Sequence, residues 1–272
     1  MSYENFKPTI WSAHIQHELP KFTVFEQDCD YRFKGDVRKG GRVKILGVSR
    51  PTIGDYKGTD IGTPEVVSDS SVTLDINQAK FFNFQVDDVD EAQAKEGLMA
   101  ALMTESTRAM AEERDKFIAS LAKEAGKVTD GLTIATEDEA KKAVDDAFIW
   151  LWENGVSDKD RVTMYLTPWF YSLFKNKLTS LSTDNPDYIK DGVIGIYNKA
   201  RVKMTNNCYK EGGFDHIVIK TNKAIAFASS IDKVEAYRPQ GFFADAVKGL
   251  NLYGGKVVRP KEMYTIKAKQ AG

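Results

Sequence analysis

The clearest strand pattern in the chain is Val72-Thr-Leu-Asp-Ile-Asn-Gln-Ala-Lys-Phe-Phe-Asn-Phe-Gln-Val86. Its apolar side chains recur at even positions, and polar side chains stand between most of them. Alternation of this kind is typical of a strand with one buried face. Fifteen residues at about 3.3 Å each would span roughly 50 Å, far longer than the usual strand of a globular protein. The pattern therefore predicts one long strand that projects from the body of the protein.

The residues before this stretch are rich in glycine and in positive charge. Residues 31–63 contain seven glycines, eight basic residues and three acids, a local charge of +5. Within them, residues 42–48 (Arg-Val-Lys-Ile-Leu-Gly-Val) read as a partner strand. An isolated two-stranded hairpin is marginally stable in water. We therefore predict an extended β-hairpin loop over residues 31–80 that lies on another surface.

A helical period follows the alternation. We predict a helix with its N-cap at Asp87 that runs to about Ala125 and ends at Gly126. Thirty-eight residues at 1.5 Å each give a rod of about 57 Å. Residues 87–115 hold nine acids and three basic residues, a local charge of −6. The inward face is predicted to comprise Val89, Ala92, Met99, Leu102, Met103, Ser106, Met110, Phe117 and Leu121.

The rest of the chain predicts a mixture of helices and strands. Thr136 and Glu139 have the spacing of a capping box, and a regular apolar stripe follows from Ala140 to Leu151. A strand at residues 161–166 and an aromatic helix at 168–178 come next, and short strands follow at 194–197, 201–204, 217–219, 224–228 and 233–237. The fold class is therefore α+β, without the repeating βαβ units of a parallel sheet.

Overall composition excludes several classes of protein. The chain has 272 residues, with 38 Lys and Arg against 39 Asp and Glu, a net charge of −1. A dedicated nucleic-acid binder would carry a strong basic excess. The two cysteines, Cys29 and Cys208, are far apart in sequence and are expected to be reduced. We expect no signal peptide and no membrane-spanning helix, because the start lacks a basic segment followed by an apolar one and no 18 apolar residues run together.

Residues with catalytic potential are few. His14 and His17 are the one close histidine pair, without a third metal ligand nearby, and the first thirty residues read as an arm whose aromatics need another surface. Cys208 and His216 could form a nucleophilic pair by residue type, but nothing supplies an orienting third group. We predict no catalytic residue, no metal and no cofactor. A cytosolic α+β enzyme that uses Cys208 or the His14 and His17 pair remains the alternative from another class.

Residues 77–90, 192–207 and 253–260 carry a resemblance to a known family. They resemble the tailed-bacteriophage major capsid proteins of the Hong Kong 97-type fold. Asn77-Gln-Ala-Lys-Phe-Phe-Asn-Phe-Gln-Val-Asp-Asp-Val-Asp90 is similar to the strand that enters the family's spine helix. Gly192-Val-Ile-Gly-Ile-Tyr-Asn-Lys-Ala-Arg-Val-Lys-Met-Thr-Asn-Asn207 resembles the axial strand pair, with Asn198-Lys199 where the family often has Gly. Tyr253-Gly-Gly-Lys-Val-Val-Arg-Pro260 resembles the closing peripheral strand.

The resemblance implies a domain order and a function. The expected parts are an N-terminal arm (1–30), an extended loop (31–80), a peripheral domain with the spine helix (81–130 and 232–272) and a mixed-sheet axial domain (131–231). The implied function is non-enzymatic self-assembly into hexamers and pentamers, which form an icosahedral shell around double-stranded DNA. The implied partners are scaffold and portal proteins, and the implied location is the virion, with the host cytoplasm during assembly. An encapsulin-like compartment that holds a cargo enzyme is the alternative of the same architecture.

The opposite local charges suggest which surfaces of neighbouring copies meet. Charge complementarity gives orientation and rejects wrong registers. We predict that basic residues of the hairpin contact acids on the spine helix of a neighbour. The proposed residues are Arg38, Lys39, Arg42 and Lys44 on the hairpin and Glu105, Glu112 and Glu113 on the helix.

Overall fold

The computed structural model describes residues 23–33, 41–48, 53, 69–87, 98–157, 159–180, 189–190 and 193–271. This part of the chain is α+β, as predicted. The helices are α1 Leu98–Ser120, α2 Glu137–Glu153 and α3 Pro168–Ser180. The strands are β1 Arg42–Val48, β2 Asp69–Asp75, β3 Gln78–Asp87, β4 Lys127–Val128, β5 Leu132–Ile134, β6 Val162–Leu166, β7 Ile189–Lys190, β8 Val193–Ile194, β9 Ile196–Tyr197, β10 Ala200–Met204, β11 Lys210–Glu211, β12 Phe214–Thr221, β13 Ile225–Tyr237, β14 Ala244–Val257 and β15 Met263–Gln270.

The predicted hairpin is confirmed in β1 and β2. The strands are antiparallel, and their register runs from the Arg42–Asp75 pair to the Val48–Asp69 pair. The base of the hairpin is covered within the same chain, where Val43, Ile45 and Leu74 pack against Ala226 and Ala228 of β13. This burial supplies the apolar contact that an isolated hairpin would lack.

The single long strand predicted over residues 72–86 is wrong. The chain forms two strands, β2 and β3, which are interrupted at Ile76 and Asn77 and belong to different sheets. The interruption lies over Gly254 of β14, where an added Cβ would stand 2.1 Å from the carbonyl oxygen of Asp75. The alternation is nevertheless correct in β3, whose even positions from Phe82 to Val86 are more buried than the odd ones.

The peripheral sheet has the order β13-β14-β3. Helix α1 lies on one of its faces, where Met103, Met110 and Ala111 pack against Val234 and Val247. Alternate residues of the strands therefore face the helix, and the residues between them form the outer face.

The spine helix is shorter in the described residues than the predicted rod. Helix α1 has 23 residues and continues as a 3-10 turn at Leu121–Glu124, while residues 88–97 lie outside the described part. Asp87 is the last residue of β3 and pairs with Ala244. Its predicted role as the N-cap stays a prediction, because the residues that follow it lie outside the described part. The 3-10 turn ends at Glu124, two residues before the predicted stop at Gly126. An added Cβ at Gly126 would lie 2.5 Å from the carbonyl oxygen of Pro260, so this position requires glycine.

The larger sheet has the order β4-β15-β12-β6-β10-β9, with β11 on β12 and β5 on β15. Helices α2 and α3 cover it, and the predicted capping box is confirmed by reciprocal hydrogen bonds between Thr136 and Glu139. Every apolar residue of the predicted α2 stripe is buried. The predicted strand at residues 161–166 is present as β6. All five of its residues are buried, so neither face of the strand is exposed to solvent.

The C-terminal strand crosses the predicted domain boundary. Strand β15 pairs antiparallel with β12 of the predicted axial part, from the Asp215–Ala268 pair to the Lys220–Met263 pair. The division into four parts stays a prediction. The turn between β9 and β10 is confirmed as left-handed, with φ of 46° at Asn198 and 63° at Lys199.

Candidate assembly surfaces

The described hairpin exposes two of its four predicted cations. Arg42 Nε lies 2.8 Å from Asp75 Oδ1, and these side chains are 81% and 46% exposed. A surface pair of this kind stabilises by only about 0–1 kcal/mol, so a partner carboxylate can replace it at little cost. Lys44 is also exposed. Arg38 and Lys39 lie outside the described residues.

The acid Glu113 on α1 already has two partners in its own chain. Lys116 Nζ lies 3.1 Å from Glu113 Oε1, and Lys80 Nζ lies 3.3 Å from Glu113 Oε2. The hydrogen bond from Lys116 and, beyond it, the one from Lys80 hold the pKa of Glu113 below its usual value despite partial burial. A neighbour would therefore have to compete with two lysines for this carboxylate.

The other two predicted acids are more available. Glu112 lies 3.6 Å from Arg108 one helical turn away, in an exposed pair. Glu105 is exposed, and no described basic side chain forms an ion pair with it. Of the three acids, Glu105 can therefore pair with a cation of a neighbouring copy without first losing an ion pair within its own chain.

A buried polar cluster, which we call the arm anchor, holds residues 23–30. The Asp115 carboxylate of α1 accepts hydrogen bonds from the backbone N–H groups of Val24 (2.7 Å), Phe25 (3.1 Å) and Glu26 (3.4 Å). Beside it, Arg114 Nη2 lies 3.1 Å from Glu26 Oε1, and both side chains are almost fully buried. The spine helix thus holds the end of the arm through both backbone and side-chain contacts.

Burial dominates the electrostatics of Asp115. It raises the pKa of this carboxyl from 3.8 to about 6, although the three backbone N–H groups act in the opposite direction. The nearby Glu26 carboxylate raises the pKa further. Asp115 is therefore held by good hydrogen bonds in a place where its charge is poorly solvated.

Asp28 is the second centre of the arm anchor. Its carboxylate accepts hydrogen bonds from Arg161 (2.9 Å), Tyr165 (2.9 Å) and Lys203 (2.6 Å), and the buried Lys220 ammonium donates to its backbone carbonyl. Burial alone would raise the pKa of Asp28, but the bonds from Lys203 and Tyr165 outweigh it and lower the pKa. Burial lowers the pKa of Lys220.

An aromatic stack completes the arm anchor. The rings of Phe25 and Tyr165 lie 4.0 Å apart and nearly parallel, and both side chains are buried. The surface that covers Phe25 is therefore the core of its own chain. The other aromatics of the predicted arm lie outside the described residues: Tyr3, Phe6, Trp11 and Phe22.

Sequence reasoning missed the arm anchor because it counted Asp115 among the surface acids of the helix. A signal was present, since Asp115 lies four residues after Ala111 and four before Ala119, both fully buried. Residues at this spacing share one helix face. Asp28 had no comparable signal, because its partners come from strands far away in sequence.

The alternative enzymatic residues receive little support in the described part of the chain. Cys208 is buried, its pKa is raised by burial to about 12, and its Sγ faces the carbonyl oxygens of Thr205 and Tyr165 at 3.8 and 4.0 Å. A thiol in this state is a poor nucleophile. His14 and His17 lie outside the described residues.

Metal ligation and membrane insertion also receive no support from the described residues. Within the part of the chain the structure covers, no three His, Cys, Asp or Glu side chains are grouped as a metal ion would require. None of the described helices is long and apolar enough to cross a bilayer.

Known proteins provide the decisive comparison. No family model matches the sequence, and no curated protein matches it. A solved chain of Mycobacterium phage Che8 is similar with a TM-score of 0.77 and 30% sequence identity, over 90% of each chain. This chain belongs to the Hong Kong 97-type major capsid proteins of tailed bacteriophages.

Two more distant structures share the fold of this capsid protein. The capsid structure of cyanophage P-SCSP1u has a TM-score of 0.75 at 14% identity, with 92% of this chain and 89% of that chain covered. A virus-like particle from Pyrococcus furiosus has a TM-score of 0.61 at 11% identity, with 97% and 99% covered. The predicted Hong Kong 97-type fold is confirmed, and the role of the capsid protein is structural, in the shell of a virion.

Proposed function

We propose that this capsid protein assembles as hexamers and pentamers into an icosahedral shell around double-stranded DNA. Assembly takes place in the host cytoplasm, with scaffold and portal proteins as partners. The similarity to the Che8 chain over nine tenths of both chains is the observation that carries the proposal. The confirmed hairpin adds support, because Arg42 and Lys44 are exposed to solvent beside the packed residues at its base.

Within this shell, the hairpin of one copy contacts the spine helix of the next. Support comes from the exposed Arg42 and Lys44 on β1 and from the exposed Glu105 on α1. Two different surfaces of the same chain meet in such a head-to-tail contact, which closes into a ring when the rotation between copies is right. Arg38, Lys39, Glu112 and Glu113 complete the proposed contact, with Glu113 the weakest candidate because of its two lysine partners.

Charge reversal tests this contact. We expect the double variant Arg42→Glu with Lys44→Glu to lower the yield of closed particles and to remove most of its dependence on salt. The matched control is Lys142→Glu with Lys159→Glu, which reverses two exposed charges elsewhere on the described surface. A compensating Glu105→Lys change in the hairpin variant should restore yield. Unchanged yield and salt dependence in the hairpin variant would refute the contact.

The contents of the shell separate a DNA container from an encapsulin-like compartment. Particles purified from infected cells should protect double-stranded DNA from added nuclease and should contain portal protein. Particles that hold a folded cargo enzyme and no protected DNA would support the compartment instead. Co-expression with the candidate scaffold protein should raise the yield of uniform shells over expression of the capsid protein alone, and equal yields would count against a separate scaffold.

A further inference from the structure

Two phenylalanines stand exposed at the turn between β13 and β14. Phe242 is 63% exposed and Phe243 is 82% exposed. The turn depends on Gly241, whose φ of +85° is a left-handed conformation that favours glycine. We call Phe242 and Phe243 the peripheral tip. Together the two side chains form a contiguous exposed apolar patch, and patches of this kind often mark a contact with another molecule.

The same chain also carries an apolar groove on the outer face of the peripheral sheet. The groove has a volume of about 350 Å³. Phe81, which is 78% exposed, and Leu250 contribute its apolar surface, and they are cross-strand neighbours on β3 and β14. Lys233, Glu235 and Lys248 also line it. We call this cavity the outer groove.

The peripheral tip cannot fill the outer groove of its own chain. The tip leads directly into strand β14, which also lines the groove and is paired with β13 on one side and β3 on the other. From Ala244, next to the tip, to Leu250 in the groove there are six residue steps, or about 20 Å at 3.3 Å per residue. A strand held on both sides does not fold back on itself, so the occupant must come from another molecule.

We propose that the peripheral tip of one capsid protein inserts into the outer groove of a neighbouring copy. The proposal rests on the proposed function, since it requires copies of the chain to meet in a shell. A second copy is the occupant that the structure favours, because each chain brings both an apolar projection and an apolar recess. The contact is head-to-tail and closes about a rotation axis.

Charges around the two surfaces are compatible with this contact. Arg238 and Asp245 flank the tip and lie 3.8 Å apart, and Lys248 and Glu235 pair at 2.8 Å beside the groove. The tip and the groove are therefore each flanked by one positive and one negative side chain, so two copies can approach without a net electrostatic repulsion. Apolar insertion supplies the affinity, and the flanking pairs supply orientation.

Disulfide trapping tests the contact directly. Chains with Phe243→Cys are co-assembled with chains that carry Leu250→Cys, and the particles are oxidised and run on non-reducing gels. We expect disulfide-linked dimers in the mixture and not in particles of either variant alone. The native cysteines contribute no background, because Cys29 and Cys208 are buried and burial raises their pKa to about 11 and about 12.

Other occupants give distinguishable products. Dimers in Phe243→Cys particles alone would show that tips meet each other, and would overturn the proposal. Efficient linkage of Ile53→Cys, an exposed residue of the extended loop, to Leu250→Cys would place that loop in the groove and would also overturn it. Absence of linkage in intact particles refutes this contact alone, whereas failure of the unmodified chain to form particles refutes the proposed function.

A second variant covers the case in which the cysteine chains do not assemble. Phe242→Ser with Phe243→Ser should leave the subunit folded and raise the concentration needed for assembly about tenfold or more, as truncation of central interface aromatics does. The matched control is Ile149→Ser, which removes an exposed apolar side chain from α2. Assembly of the tip variant at the unmodified concentration would overturn the proposal.

Discussion

The Asp115 carboxylate of the spine helix accepts a 2.7 Å hydrogen bond from the backbone N–H of Val24, which precedes it by 91 residues in the chain. This contact ties the end of the N-terminal arm to the centre of the subunit. Phe25 and Glu26 donate to the same carboxylate, so the direction of three successive residues is set by one side chain.

Removal of Asp115 should release the arm and change the pH dependence of stability. We expect Asp115→Ala to lower the free energy of unfolding by at least about 2 kcal/mol, because three buried N–H groups lose their acceptor. The folded pKa of about 6 lies above the ordinary 3.8, so protonation favours the folded chain. The unmodified subunit should therefore gain stability relative to Asp115→Ala and Asp115→Asn as pH falls through 6 toward 4.

Urea unfolding of unassembled subunits between pH 4.5 and 7 measures both effects, and hydrogen exchange at residues 24–26 reports release of the arm. The control is Glu112→Ala on the same helix, which should change stability by about 0.5 kcal/mol or less. Equal exchange in the Asp115→Ala and unmodified chains would show that Asp115 does not hold the arm.

Loss of the Asp28 carboxylate should be more costly than loss of Asp30 two residues later. Asp28→Ala removes the buried carboxylate with which Lys203 is paired, so this ammonium group loses its partner. We expect the change to lower the free energy of unfolding by about 3–5 kcal/mol. Asp30→Asn breaks a pair with Arg32, which is 66% exposed, and should cost about 1 kcal/mol or less. Denaturant midpoints of the two variants give the comparison. Equal losses would contradict the assigned role of Asp28.

A methyl group at Gly254 should disturb the hairpin. Its Cβ would meet the carbonyl oxygen of Asp75 at 2.1 Å, and backbone cannot move aside as a side chain can. We expect Gly254→Ala to lower the free energy of unfolding by about 1–3 kcal/mol and to reduce particle yield, because β2 has to move away from β14 to make room for the methyl group. The control is Gly41→Ala at the start of the same hairpin, where nothing lies within 4 Å of an added Cβ. Equal yields from both variants would exclude the steric account.

The left-handed turn at Asn198 and Lys199 predicts a stabilising substitution. Lys199 has a φ of 63°, a conformation that costs a residue with a Cβ about 1 kcal/mol. Lys199→Gly should therefore be neutral or stabilising, while Lys199→Val should be destabilising by about 1 kcal/mol or more. Thermal unfolding of the two variants measures the difference. A less stable glycine variant would mean that the lysine side chain contributes more than the turn costs.

Local patterns predicted the elements whose signals lie within a few residues. The capping box at Thr136 and Glu139, the buried stripe of α2 and the alternation of β3 depend on spacing along one element, which the sequence displays directly. Long strands were harder to recognise. Strand β13 was predicted as two short strands because a register shift between Ser229 and Ile231 breaks its period.

Contacts between distant segments could not be predicted in the same way. The break at Ile76 arises from the close approach of Asp75 to Gly254, and the sequence around either residue contains no sign of the other. The arm anchor likewise combines residues from the arm, the spine helix and three strands. The acids on α1 were counted from sequence alone, and only the structure separates the buried Asp115 from the exposed Glu105.

Assembly of the purified protein into a shell can be observed by cryo-electron microscopy. We expect closed icosahedral shells built of hexamers and pentamers, with β1 and β2 of each subunit lying on helix α1 of a neighbour. A stable monomer that forms no particles with or without scaffold protein would contradict this expectation.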